Sequence, residues 1–129
     1  FDFETGKKIS GALTEDRKGF ASCEAGLLEK QGGIDSRSNT TIGAVFTNGN
    51  FSQQATAKIA SVARSGYSRS INPVGTMGDG DTIYAVSFGE VESDINIAGV
   101  LAARAVSMAV RDAALSSKMS DEEYLSYIE

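Results

Sequence analysis

Thr40-Thr41-Ile42-Gly43-Ala44-Val45-Phe46-Thr47 is a β-branched and apolar run closed by Asn48-Gly49-Asn50, the pattern of a buried strand ended by turn residues. A second run of the same kind, Thr82-Ile83-Tyr84-Ala85-Val86-Ser87-Phe88, comes later in the chain. Between them, Ser52 is placed to cap a helix reaching about Ser70, with Ala55, Ile59, Val62, Ala63 and Gly66 at helical spacing. Asn72-Pro73 breaks that helix, and Gly75, Gly78 and Gly80 make a loop before the second strand. Strand, helix, strand is the order of a parallel crossover. If the two strands are neighbours, both begin at the same end of the sheet, and Thr40 meets Asp79-Gly80-Asp81.

The flanking segments fit around this unit. Phe1 to Phe3 is expected to be the end of a strand. Thr14 is expected to cap a helix over about Glu15 to Glu29, with Phe20, Cys23 and Leu27 on one face. Gln31-Gly32-Gly33 ends it, and the polar stretch from Ile34 to Asn39 reads as an exposed loop. Ile95, Ile97, Val100, Leu101, Ala105, Met108, Ala109 and Ala113 predict a long helix over Asp94 to Leu115 with a broad buried face. Ser120 and Glu123 form a capping box for a short last helix. Met77, Met108 and Met119 read as core or gap-filling side chains, and Cys23 as a small buried hydrophobe.

The 129 residues suit one compact domain, 1–129, of mixed α/β or α+β class. A net charge of −5, without a cluster of Lys and Arg, argues against nucleic acid as a partner. No apolar run approaches 18 residues, so no membrane span is expected. One cysteine excludes an intrachain disulfide and favours a reducing, cytoplasmic compartment. The chain contains no histidine, which rules out a Ser-His-Asp triad, a Cys-His dyad and a His-ligated zinc site built from this chain alone. No cofactor or metal is expected.

Hydrolytic chemistry in this chain therefore needs another base. At Asn39-Thr40 a loop runs into a strand, and the Thr40 hydroxyl is placed to attack the Asn39 carbonyl. Cleavage there would leave Thr40 with a free α-amine, whose ordinary pKa of roughly 7.7 to 8.0 suits it to act as base toward its own hydroxyl. The carboxylates of Asp79 and Asp81 could orient that amine and stabilise its charge. Plainer readings stand beside these. Asp79-Gly80-Asp81 is also a common turn before a strand, and Asn39-Thr40-Thr41, like Asn50-Phe51-Ser52, matches a glycosylation acceptor.

Asn39-Thr40-Thr41-Ile42-Gly43 leading one strand and Asp79-Gly80-Asp81-Thr82 leading another resemble the P1 family of peptidases, also called family S58. This family includes D-aminopeptidase-like enzymes, β-peptidyl aminopeptidases and nylon-oligomer hydrolases. The resemblance implies autocleavage between Asn39 and Thr40, Thr40 as the nucleophile, and Asp79 and Asp81 as the acidic residues beside it. It also implies a layered α/β/β/α sandwich, similar to Ntn hydrolases in its layers but different in connectivity. The substrate would be a peptide or small-molecule amide, and the assembly a homo-oligomer of cleaved portions, 1–39 and 40–129. Family members carry a longer segment before the nucleophile, with a Gly-rich region and pocket-completing Lys, Asn and Tyr residues, and that segment is missing between Cys23 and Asn39. The alternative is a non-catalytic, shortened relative that serves as an oligomerising or binding domain.

Overall fold

The computed structural model describes residues 1–29 and 40–127. Its elements in chain order are α1 (Cys23–Glu29), β1 (Ile42–Gly49), α2 (Gln53–Ala63), α3 (Ser65–Ser70), β2 (Thr82–Val91), α4 (Ile95–Ser116) and α5 (Asp121–Leu125). The fold is mixed α and β.

β1 and β2 pair in parallel, with Ile42 opposite Thr82 and Thr47 opposite Ser87, and the register shifts before Gly49 meets Val91. The crossover between them is helical, as the strand, helix, strand order predicts. Ser52 caps α2 by accepting from the Ala55 N–H. The helix expected over 52–70 divides at Arg64 into α2 and α3. Next to this division the Ser107 hydroxyl of α4 lies within hydrogen-bond reach of the Gly66 carbonyl, at 3.2 Å, and of the Ala103 carbonyl of its own helix, at 3.1 Å.

α2, α3 and α4 cover one face of the sheet. The core is formed by Ile59, Ala63, Tyr67, Ala102 and Val106, with Val45 and Ile83 of the strands packed against it. The helices meet through small residues. A methyl group on Gly66 would lie 2.5 Å from the Ala103 carbonyl oxygen, and one on Gly99 would lie 3.1 Å from Val62 Cγ1. α4 is capped by Asp94, whose carboxylate accepts from the Asn96 and Ile97 N–H groups.

The opposite sheet face is bare among the described residues. Ile42, Phe46, Tyr84, Val86 and Phe88 are exposed there, and the Phe46 and Phe88 rings stack 6.3 Å apart. The described residues thus supply one helical layer and one sheet.

Several expectations are corrected. Phe1 to Phe3 is a turn, not a strand: the buried Asp2 carboxylate accepts from the Glu4 and Thr5 N–H groups and pairs with Arg111 of α4 at 3.0 Å. Thr14 caps no helix. Its hydroxyl bonds Asp16 and Gly19 within a tight turn, Leu13 bridges to Phe20, and α1 begins only at Cys23. The polar side chains of 14–19 satisfy one another locally, which competes with helix formation. Cys23 is exposed, and so are Met77, Met108 and Met119.

The buried stripe of α4 is also not the expected one. Gly99, Ala102, Ala103, Val106 and Ser107 face the core, whereas Ile97, Val100, Leu101 and Met108 are exposed. α4 carries apolar residues on two sides, and the side that admits the closest approach of α2 and α3 is the one that is buried.

Candidate functional site

The parallel pairing sets the starts of both strands at one end of the sheet, and the loop of residues 75–81 closes over that end. Thr82 N–H donates to the Thr41 carbonyl at 2.9 Å, which continues the ladder past the first residue of β1. Thr40 is exposed at the end of the described segment, against Gly80. A methyl group on Gly80 would lie 2.9 Å from Thr40 Oγ1 and 3.4 Å from Thr40 Cγ2. Gly80 therefore admits the threonine side chain where any larger residue would press on it.

The two aspartates hold this corner differently. Asp81 Oδ1 accepts from Thr41 N–H at 2.8 Å, and its Oδ2 accepts from Gly75 N–H at 3.0 Å. One carboxylate thus ties the backbone after Thr40 to the far side of the loop. Gly75 has φ +69°, a backbone conformation that L side chains rarely adopt. Asp79 Oδ2 accepts from both the hydroxyl (2.8 Å) and the N–H (2.7 Å) of Thr76. These bonds, the hydroxyl's first, hold the Asp79 carboxyl below the usual carboxylate range. Among the described residues no hydrogen bond joins the Thr40 hydroxyl to either carboxylate.

Beneath the corner lies Tyr67, which the residue pattern does not single out. Its hydroxyl donates to the Thr82 carbonyl at 3.3 Å and faces Gly43, which has no side chain to obstruct it. Burial pushes the Tyr67 hydroxyl pKa up, and the negative charge of Asp81 adds to this, so it remains a neutral donor at physiological pH. Thr76 is a further contributor absent from the sequence reading, where Gly75 enters only as a loop glycine. Their only signal there is membership of a Gly-rich loop.

A cavity of about 650 Å³ opens beside the corner, lined by Thr41, Asp79 and Asp81 together with residues of the N-terminal segment. The structure therefore brings together Thr40, Thr41, Gly80 and Asp81, with Asp79 one turn away on the same loop. Asn39, the other partner in the expected cleavage, lies outside the described residues. Among the described residues no group of His, Cys, Asp and Glu has the arrangement of a metal site, and no helix is long and apolar enough to cross a membrane.

Comparison with known proteins identifies the family of the chain. A stretch of 55 residues, 43% of this chain, is 44% identical to an uncharacterized aminopeptidase of Mycobacterium leprae and spans 15% of that protein's length. No solved structure matches. The profile of peptidase family S58 matches residues 4–123, nearly the whole chain, and on that match the chain belongs to peptidase family S58.

Proposed function

We propose that the chain carries the nucleophile half of an autoprocessing amide hydrolase, aminopeptidase-like or acting on ω-amino-acid oligomers, with Thr40 as nucleophile. The observation that carries this reading is the packing of Thr40 against Gly80, next to a backbone that Asp81 fixes through Thr41 N–H. Membership of a peptidase family and similarity to a protein named as an aminopeptidase support it.

In the processing step the Thr40 hydroxyl oxygen attacks the Asn39 carbonyl carbon. The Asn39–Thr40 C–N bond breaks, an ester to Oγ1 forms, and the hydroxyl proton passes to the Thr40 nitrogen. Water hydrolyses the ester to leave the Asn39 carboxylate and a free Thr40. The new α-amine then takes the hydroxyl proton as Oγ1 attacks a substrate amide, and returns it to the leaving amine. A second water releases the acyl group from Oγ1.

Asp81 acts as a positioning residue by holding the Thr41 amide, and Asp79 by holding the Thr76 turn that carries the loop. Their negative charges also favour the ammonium formed on Thr40 during attack. We further propose a homo-oligomer, which the exposed apolar faces of the sheet and α4 support.

The test of the catalytic reading is intact mass of the purified protein. Fragments 1–39 and 40–129 are expected, and Thr40→Ala should remain a single chain. A wild-type chain that also stays whole would overturn autoprocessing, and with it the enzyme reading in favour of a binding or oligomerising domain.

A further inference from the structure

The cavity beside Thr41 is lined by groups of both charges. Asp79 and Asp81 contribute to its wall, and Lys8 is its cationic side chain. The rest of the surface is mostly apolar, with Leu27, Ile71, Val74 and Val110 contributing. Lys8 is half-buried, and its ammonium donates to the Ala21 carbonyl at 2.5 Å. The Phe1 and Phe20 rings stand 6.0 and 5.8 Å from it. An ammonium has three donors and that carbonyl takes one.

No carboxylate forms an ion pair with Lys8 among the described residues. Glu24, which lines the small neighbouring cavity that Lys8 also borders, accepts instead from the Asn72 amide at 3.0 Å. A partly desolvated cation without an anionic partner, in the wall of a mostly apolar cavity, is suited to a carboxylate carried on an apolar stem.

We propose that this cavity binds short peptides or ω-amino-acid oligomers by their free carboxylate end, with Lys8 pairing the carboxylate and the apolar wall holding the adjoining stem. The proposal deepens the reading of Thr40 as nucleophile, on which it depends only for which bond is cut. Lys8 is then a specificity residue that favours peptide acids over their amides. A cavity of about 650 Å³ falls within the size range of small-molecule sites and limits the ligand to a few residues.

Cys23 lines the same cavity and is the chain's one cysteine, so its alkylation reports occupancy without reference to turnover. The experiment measures the rate of Cys23 modification by iodoacetamide in the Thr40→Ala protein, with dileucine or dileucine amide added. Dileucine is expected to protect at a concentration about tenfold lower than its amide, as a charge-assisted contact requires. Lys8→Met should abolish that difference and Lys8→Arg should retain it. Equal protection by acid and amide, no protection by either, or an unchanged preference in Lys8→Met would overturn the proposal. An uncut wild-type chain together with carboxylate-selective protection would remove the nucleophile reading and still support the cavity as a peptide-acid site.

Discussion

Asp79 and Asp81 are two residues apart and of one chemical type, yet their bonds divide the work. Asp81 spans the corner from Thr41 to Gly75, whereas Asp79 closes a turn on Thr76. The Asp79 carboxyl, held below its ordinary value of 3.8 by Thr76, has a defined consequence for pH. A group whose folded pKa is depressed stabilises the fold above its unfolded pKa, and that contribution is lost as pH falls through the folded value. Protection of the Thr76 amide, measured against its intrinsic exchange rate, is therefore expected to fall as pH drops below the ordinary value of 3.8, and to be low already at neutral pH in Asp79→Ala. Protection at Thr76 that persists unchanged in Asp79→Ala would contradict the turn described here. The pair Asp79-Gly80-Asp81 was visible in the sequence, but the direction each carboxylate points was not, because both Asx-turn and site geometries fit the same three letters.

At the scale of elements, the packing of α3 on α4 depends on Gly66. Alanine is ordinarily the better helix former by about 1 kcal/mol. Here its methyl would lie 2.5 Å from the Ala103 carbonyl oxygen and 2.8 Å from Val106 Cβ, and forcing apart a packed contact costs about 1–3 kcal/mol. Gly66→Ala is thus expected to lower the urea midpoint with an unchanged slope, by a net loss of up to ~2 kcal/mol. A raised midpoint would mean that the helices do not approach so closely. Elements with strong internal periodicity and clear caps were legible in advance: both strands, the Ser52 cap and α4. The helix expected from Glu15 was not, since side chains of 14–19 bond one another in a turn and leave only Cys23–Glu29 helical.

Across the whole molecule, apolar surface remains outward on both sides. The outer sheet face presents Ile42, Phe46 and Phe88, and the outer side of α4 presents Ile97, Val100 and Leu101. Runs of exposed apolar side chains mark surfaces that associate. Sedimentation at micromolar concentration is expected to give particles of more than one chain, and Phe46→Glu or Leu101→Glu to shift them toward single chains. A wild-type protein that sediments as one chain would refute the proposed assembly. The small size of the shared core, with Ile59 and Tyr67 as its large members, makes the same point from within: one helical layer on two strands buries few large side chains.

Sequence was sufficient for the strand, helix, strand order and for placing Thr40 with Asp79-Gly80-Asp81, because a parallel crossover brings both strand starts to one end whatever the details of packing. The family was legible from those same two motifs. Tertiary structure alone decided which side of α4 is buried, since hydrophobicity marks both sides while only the small residues allow α2 and α3 to approach. It alone disclosed Tyr67 under the corner and Lys8 in the wall of the cavity beside it. These are contacts between segments distant in the chain, and no local period or propensity encodes which distant side chain a residue will meet.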